Sequence, residues 1–237
     1  MKNISKIAAM LLIGGSFVIQ SCDGVFDDLA INPNQPSMGA YFTTPEAVND
    51  AVLTMYGYVS TQRSLGASGS KTQIIRSDEA SSNSDYGKPG MFGETLNASY
   101  YTIEQPYTLM YTLASQAAYI IETAPEVDFH GNEERKNIYI GEAHFWRAFA
   151  HYYLLINLSP IRRMPRNSED YTRPLEAPAD VWDFIQEDLK SAKELLPVKG
   201  YWDATNVGRV TKASAAALAG KCYLYRSGIE TFYGTDK

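Results

Sequence analysis

Apolar residues recur every three or four positions over much of the chain, the spacing that places them on one face of an α-helix. Five segments show this spacing, and prolines or capping polar residues mark most of their starts. The predicted helices are Pro45 to about Gln62, Pro106 to Ala124, about Asn132 to Leu158, Pro178 to Leu196, and a fifth that Thr211 caps. No segment has a convincing strand pattern, so the sequence predicts an all-α fold.

The third predicted helix has the pattern of a buried central helix rather than an amphipathic surface one. Large apolar residues recur along one side, namely Ile138, Phe145, Phe149, Tyr152 and Ile156. Small residues on its other sides would let a neighbouring helix approach closely, and they are Gly141, Ala143, Ala148 and Ala150.

Successive helices joined by short turns indicate stacked antiparallel pairs, which bury a core only against their neighbours. The strict tetratricopeptide consensus is absent at a fixed period, so the expected architecture is similar to those repeats rather than identical. A long polar segment, roughly Arg63 to Tyr101, follows the first helix. Irregular loops of that length are uncommon in compact domains and often functional.

Charge and cysteine content exclude two classes of protein. The net charge is −6 and no block of Lys or Arg occurs, which argues against a nucleic-acid partner. The chain has 2 Cys, and Cys222 lies in the apolar fifth helix, poorly placed to reach Cys22. No disulfide framework is implied, and we expect Cys222 to be a small buried hydrophobe.

The N-terminus has the pattern of a secretory signal. Lys2 and Lys6 precede an uncharged apolar run, residues 7–19, which is shorter than the roughly 20 residues that a membrane span needs. The sequence Ile19-Gln20-Ser21-Cys22 resembles a bacterial lipobox, which implies a signal peptide over residues 1–21 and a lipid-bearing Cys22. An extended tether over residues 22–43 would follow. The alternative is an ordinary cleaved signal followed by a half-cystine.

Four segments, in this order, resemble the SusD/RagB family of nutrient-binding outer-membrane lipoproteins. They are NPNQPSMGAYFTTPEAVNDAVLTMYGYV (32–59), GEAHFWRAFAHYYLLINL (141–158), VWDFIQEDLKSAKELLP (181–197) and GRVTKASAAALAGKCYLY (208–225). The resemblance implies a helical-repeat half followed by a more irregular half. This sequence stops at FYGTDK, where another helix is expected. We therefore expect residues 44–237 to be an incomplete SusD-like domain without its C-terminal half, in a fragment, a truncated product or a degenerate copy.

The resemblance implies a cell-surface lipoprotein of the outer membrane. Such a protein binds oligosaccharide or polysaccharide nutrients and delivers them to a SusC-like TonB-dependent transporter, with no cofactor. Peptide nutrients remain open as cargo. The alternative function is a lipid-anchored helical-repeat adaptor that binds only protein partners.

Charged residues inside the matching segments are expected to serve the scaffold. Glu142 and Arg147 could pair with charges on adjacent helices or help fix the register of the central helix, because charge within a largely apolar helix is usually satisfied locally. Arg209, Thr211 and Lys212 indicate a helix start with its cap.

No catalytic or metal motif occurs in the sequence, so an enzyme is not expected. A carboxylate pair for glycoside cleavage stays open, because its two members can lie far apart in the chain, but it has no positive sign here. His144 and His151 are seven residues apart, whereas a helical metal pair needs a spacing of four, and His130 lies elsewhere. No nucleophile elbow or phosphate-binding loop occurs. Asp78, Asn83 and Asp85 could offer oxygen ligands to a hard cation, but their spacing is not that of an EF-hand.

The long loop is the predicted glycan-binding region. It mixes flat rings with polar edges, which suits the apolar faces and hydroxyl rims of sugars. The candidate residues are Arg76, Asp78, Asn83, Tyr86, Phe92, Asn97, Tyr100 and Tyr101. The same residues could instead be loop anchors and turn formers.

Overall fold

A computed structural model describes residues 42–61, 65–66, 74, 101–158, 161–163 and 174–233, without the side chains of 101–102 and 229–233. The helices are α1 (Pro45–Ser60), α2 (Tyr101–Thr123), α3 (Glu133–Leu158), α4 (Pro178–Leu195) and α5 (Lys212–Tyr233), with a short 3₁₀ helix at Ala124–Glu126. The described ranges contain no strand. The predicted all-α class is confirmed. The predicted signal peptide, residues 22–41 of the predicted tether and most of the long loop lie outside those ranges, whereas Phe42, near the end of the predicted tether, is buried in the helical core and packs on Tyr119.

Each helix packs on the next, α1 on α2, α2 on α3, α3 on α4 and α4 on α5. These are the stacked antiparallel pairs of a tetratricopeptide-like fold, as the sequence predicts. The central α3 makes the most extensive contacts, with α4 and α2 on either side of it in the stacking order. Fifteen of its 26 residues are buried, which confirms the prediction of a central helix.

The first helix begins where its sequence signals indicate. The Thr44 side chain accepts a hydrogen bond from the backbone N–H of Ala47 at 3.2 Å, and Pro45 occupies the first turn, where a missing N–H costs nothing. Val48, Val52 and Met55 are fully buried, so the apolar residues spaced three or four apart in α1 face the core.

The start of α2 differs from the prediction. The helix begins at Tyr101, five residues before Pro106, and Pro106 lies inside it. A proline cannot donate the N–H bond to the fourth residue before it, so its presence suggests a start rather than an interior. Here the Pro106 side chain is buried, and that burial offsets part of the free-energy cost of the lost hydrogen bond.

The predicted close approach to α3 occurs at Gly141. A Cβ at this position would lie 2.9 Å from the Leu195 Cβ and 3.2 Å from the Leu196 backbone nitrogen. Only glycine therefore lets the end of α4 pack at this distance from α3.

A tight turn delivers the chain into α3. His130 and Gly131 both have positive φ, 54° and 82°, and the Asp128 carboxylate accepts the backbone N–H of His130 at 2.7 Å. Asn132 then caps α3, because its side-chain oxygen accepts the N–H of Arg135 at 3.1 Å. Asn132 and Arg135 are thereby placed at one end of the central helix.

None of the helices searched, all within the described ranges, is long and apolar enough to cross a membrane.

Candidate ligand pocket

The residues predicted to bind glycan lie outside the described part of the chain. This applies to Arg76, Asp78, Asn83, Tyr86, Phe92, Asn97 and Tyr100, and to the lipidation candidate Cys22. Tyr101 is the first residue of α2, but its side chain is not described. Their assignment to a glycan site stays a prediction.

A buried ion pair joins α3 to the segment that leads into α5. The Arg209 guanidinium donates from Nε to Glu142 Oε1 at 3.0 Å and from Nη2 to Oε2 at 2.5 Å. The Tyr56 hydroxyl donates to the same carboxylate at 2.5 Å and accepts the N–H of Val210 at 2.9 Å. Arg209 also donates to the side-chain oxygen of Asn49 at 2.8 Å. Three separate parts of the chain therefore meet at one carboxylate.

Burial and charge act in opposite directions on this pair. Burial raises the pKa of the Glu142 carboxyl above its ordinary value, against the hydrogen bonds and charge of Arg209 and a bond from Tyr56. For Arg209, burial lowers the pKa, but its bonds to Glu142 outweigh burial and the net pKa is raised. Arg209 therefore stays charged, and its two bonds stabilise the ionised carboxylate. Burial and the Glu142 carboxylate also raise the pKa of Tyr56, which keeps its hydroxyl a donor.

A second buried ion pair joins α3 to α4. Arg147 donates to both oxygens of Asp188, at 2.8 Å from Nε and 2.7 Å from Nη2, and His144 Nδ1 lies 2.7 Å from Oδ1. Burial alone would raise the pKa of Asp188, but the bonds from Arg147 and His144 outweigh it and lower that pKa. The predicted pairing with an adjacent helix is confirmed for Arg147, whereas Glu142 pairs with Arg209 on the connector before α5.

The remaining histidines, His151 and His130, differ in burial, and neither belongs to a metal cluster of the described residues. His151 is fully buried, and its Nδ1 lies 2.7 Å from the Arg147 carbonyl oxygen, to which it donates. His130 lies exposed in the turn before α3. Among the described residues, no three His, Cys, Asp or Glu side chains are grouped as a metal site would require.

The helix-start interpretation of residues 209–212 is confirmed but incomplete. Ser214 Oγ accepts the N–H of Thr211 at 3.2 Å at the start of α5. The same interpretation missed the partnership of Arg209 with Glu142. A buried carboxylate on α3 signals that some cation must meet it, but sequence spacing does not say which one.

A polar cavity of about 250 Å³ lies beside the Arg209–Glu142 pair, and we call it the Trp202 pocket. It combines residues from α1, from the start of α3 and from the connector between α4 and α5. The polar and aromatic residues that line it include Asn49, Asn132, Arg135, Tyr201, Trp202, Asn206 and Arg209. The sequence Tyr-Trp-Asp-Ala-Thr-Asn of the connector mixes rings and amides as the long loop does, and that signal was missed.

Contacts within the protein fix the position of the Trp202 ring and orient Tyr201 against it. The guanidinium carbon of Arg209 lies 4.7 Å from the centre of the Trp202 ring, a cation–π distance, and Trp202 Nε1 donates to the Val210 carbonyl at 3.2 Å. Tyr201 stands nearly perpendicular to Trp202 with ring centres 5.2 Å apart, and it is 47% exposed. The Tyr201 ring is therefore available to a ligand.

A second groove of about 500 Å³ adjoins the pocket and shares Ile138 and Tyr201 with it. Pro197, Val198 and Glu194 also line this groove. Because the Tyr201 ring belongs to both, a ligand longer than one ring could pass from the pocket into the groove.

A family model described as starch-binding associating with outer membrane matches residues 29–224. A SusD-like protein of Bacteroides ovatus is 26% identical over 236 residues, covering 96% of this chain and 41% of that protein. SusD-like protein P2 of Formosa agariphila is also 26% identical, over 200 residues that cover 81% of this chain and 38% of that protein. The chain thus spans about two fifths of the length of these curated relatives.

Solved structures show the same fold. A SusD-like protein from Bacteroides fragilis superposes with a TM-score of 0.69 at 23% identity, covering 82% of this chain and 37% of that one. A structure described as a laminarin binding SusD-like protein gives a TM-score of 0.66 at 18% identity, covering 80% of this chain and 42% of that one.

Proposed function

Because the chain belongs to the SusD-like family of starch-binding proteins that associate with the outer membrane, we propose that it is a lipid-anchored receptor for oligosaccharide or polysaccharide nutrients. It faces the cell surface and passes its ligand to a SusC-like TonB-dependent transporter. The observation that carries this proposal is the family match over residues 29–224, which includes the whole long loop.

The membrane part of the proposal rests on the lipobox-like sequence that ends at Cys22. Acyl chains contribute about 0.8 kcal/mol for each buried CH₂ group, so two or more chains would hold the protein stably at the membrane. In this proposal the residues that follow Cys22 link the lipid to the helical domain, whose described part begins at the buried Phe42.

The ligand part rests on the composition of the loop. Tyr86, Tyr100 and Tyr101 offer ring faces, and Arg76 and Asn83 offer polar edges. Rings with a few placed polar groups are typical of small-molecule sites. A protein of the same fold is described as laminarin binding, which makes laminarin and starch reasonable first ligands for this chain.

The scaffold part rests on the two buried ion pairs. They connect the four family-like segments, because Tyr56, Glu142 and Arg209 meet at one pair and Arg147 and Asp188 form the other. Side chains used in this way are not available to a ligand, so binding falls to the loop and to surface pockets.

Native affinity electrophoresis of the chain without its signal, in gels containing laminarin or starch, tests the ligand part. We expect retardation of the parent, and weaker retardation after Tyr86→Ala, Tyr100→Ala or Tyr101→Ala. Tyr223→Ala is the matched control, because Tyr223 is an exposed tyrosine on α5, 57% accessible. If the three loop variants are retarded as strongly as the parent and the Tyr223→Ala control, these tyrosines do not belong to the site.

Intact mass of the protein from an outer-membrane fraction tests the anchor. We expect acylation of the parent at Cys22 and none in a Cys22→Ser chain. An unacylated parent of the expected mature mass would contradict the anchor and leave the glycan part standing.

The stacked helix pairs also support the alternative of a protein-only adaptor, since such folds present extended surfaces to partners. A pull-down from membranes with a glycan competition arm separates the two. A receptor should retain its transporter and bind glycan, whereas an adaptor should retain a protein partner and show no glycan binding.

A further inference from the structure

We propose that the Trp202 pocket is a second saccharide-binding site, which takes a sugar unit that carries an acidic group, either a carboxylate or a sulfate ester. The proposal rests on the chain's role as a glycan receptor, but it concerns residues other than those of the long loop. It names both the place and the charge of the sugar.

The acidic group is indicated by Arg135. This side chain is exposed at the start of α3, and no carboxylate of the described residues lies within ion-pair distance of it. Its Nε donates to the Tyr139 hydroxyl at 2.7 Å, which orients the guanidinium and leaves its terminal N–H groups for an anion. A guanidinium fork matches the geometry of a carboxylate or sulfate and gives charge-assisted hydrogen bonds.

The neighbouring charges leave Arg135 as the available cation of the pocket. Arg209 is occupied by Glu142 and Asn49. Glu133 lies 3.2 Å from Lys136 in an ion pair, and Glu134 lines the adjoining groove rather than the pocket. No acidic residue lines the Trp202 pocket itself within the described ranges, whereas Glu194, like Glu134, lines the adjoining groove.

The sugar ring is indicated by the aromatic pair. Trp202 is held from behind by Arg209, and Tyr201 presents an exposed ring at right angles to it. An aromatic face packs against the C–H face of a pyranose and excludes water from it. Because these rings are already positioned, little side-chain freedom is lost on binding.

Three side-chain amides of the pocket can bind the hydroxyl groups of a sugar. In each amide, hydrogen bonds within the protein occupy either the oxygen or the NH₂ group and leave the other available. The side-chain oxygens of Asn49 and Asn132 already accept bonds from Arg209 and from the Arg135 backbone, so their NH₂ groups remain as donors. Asn206 has its NH₂ bound to Asp203 and Thr205, at 3.0 Å each, and its oxygen remains as an acceptor. The pocket therefore offers both donors and acceptors.

The volume indicates one sugar unit in the pocket. About 250 Å³ is smaller than the roughly 300–1,000 Å³ typical of sites for drug-sized ligands. The adjoining groove of about 500 Å³, reached past Tyr201, can receive the next units of the chain.

Isothermal titration of the chain without its signal tests the proposal with two matched ligand pairs. The first pair is oligogalacturonate and its methyl ester, and the second is oligosaccharide from carrageenan and its desulfated form. In at least one of the two pairs, we expect the acidic ligand to bind at least about tenfold more tightly than its neutral form, because the neutral form cannot make the charge-assisted hydrogen bond. Binding of that acidic ligand should weaken as salt is added.

The variants locate the site. Arg135→Ala should lose most of the preference for the acidic ligand, and Arg135→Lys should keep part of it, because a lysine retains the charge without the fork. Tyr201→Ala should weaken both members of a pair. Lys190→Ala and Tyr223→Ala are the matched controls, since they remove an exposed cation from α4 and an exposed tyrosine from α5. Thermal melting of every variant checks that the fold is kept.

Three outcomes would overturn the proposal. They are parent binding to neither acidic ligand, equal binding of the acidic and neutral forms, and an unchanged preference in Arg135→Ala. The loop variants distinguish this failure from failure of the proposed receptor function. Laminarin or starch binding that depends on the loop tyrosines would stand in any of these cases, while acidic-sugar binding that depends on Arg135 would stand if the loop proved inert.

Discussion

The guanidinium of Arg209 holds the carboxylate of Glu142 through two hydrogen bonds, although 67 residues separate them in the chain. Glu142 is fully buried and Arg209 is 8% exposed, so water screens the pair very little. Removing one member of such a pair leaves an uncompensated buried charge.

Arg209→Met should therefore destabilise the protein by about 3–5 kcal/mol, measured as the free energy of unfolding in urea. The double variant Arg209→Met, Glu142→Gln should recover part of that loss, because no buried charge remains. Asp183→Asn is the control. It breaks the exposed pair with Arg226, 2.6 Å apart, and should cost no more than about 1 kcal/mol. A cost for Arg209→Met as small as that of the control would contradict this account.

Stability should fall as the pH drops from about 6.5 to about 4, in part because of His151. Burial lowers the pKa of His151 to about 4, so the folded protein keeps this imidazole neutral where the unfolded chain binds a proton. The unfolded state then gains protons first, and up to about 3 kcal/mol is lost over that range. Urea unfolding at a series of pH values measures the slope. His151→Asn should flatten it, and a slope as steep as that of the parent would contradict this account.

Gly141→Ala should destabilise the protein by about 1–3 kcal/mol, because the added methyl group would overlap the Leu195 side chain 2.9 Å away and push α4 from α3. Gly220→Ala on α5 has no heavy atom within 4 Å of the new methyl group. It should instead stabilise by up to about 1 kcal/mol through helix propensity. Thermal melting of the two variants compares them directly, and equal shifts would mean that helix propensity alone governs both sites.

The Cys222 thiol should resist modification in the folded protein. It is fully buried, and burial raises its pKa to about 12, so little thiolate forms and reagents cannot reach it. In a Cys22→Ser chain, a disulfide reagent should report no thiol until urea unfolds the protein. Adding Ala217→Cys, at an exposed position of α5, should give one rapidly reacting thiol. Rapid reaction before that addition would show that Cys222 is accessible.

Local signals were sufficient for most helices, because capping is decided by neighbours in the chain. Thr44 and Asn132, beside the predicted starts of two helices, each accept a hydrogen bond from the backbone N–H three residues ahead. Pro106 misled the prediction of α2 because proline reports a lost N–H bond, whereas burial of its ring, which offsets that loss, depends on tertiary packing.

Long-range contacts were beyond the reach of spacing rules. The sequence indicates that Glu142 needs a partner, but Arg209 meets it only because α3 and the connector before α5 come together in the fold. The Trp202 pocket likewise joins Asn49 to Asn206 across most of the chain. The candidate residues of the long loop remain a prediction.

The contacts made by α1 constrain the order in which the protein can become folded. Asn49 binds Arg209 across 160 residues, and Tyr56 binds Val210 across 154. A ribosome releases the first helix long before it releases Arg209, and until then Glu142 has no guanidinium to compensate its burial. We therefore expect the helices already synthesised to be less stable before Arg209 emerges than in the complete chain.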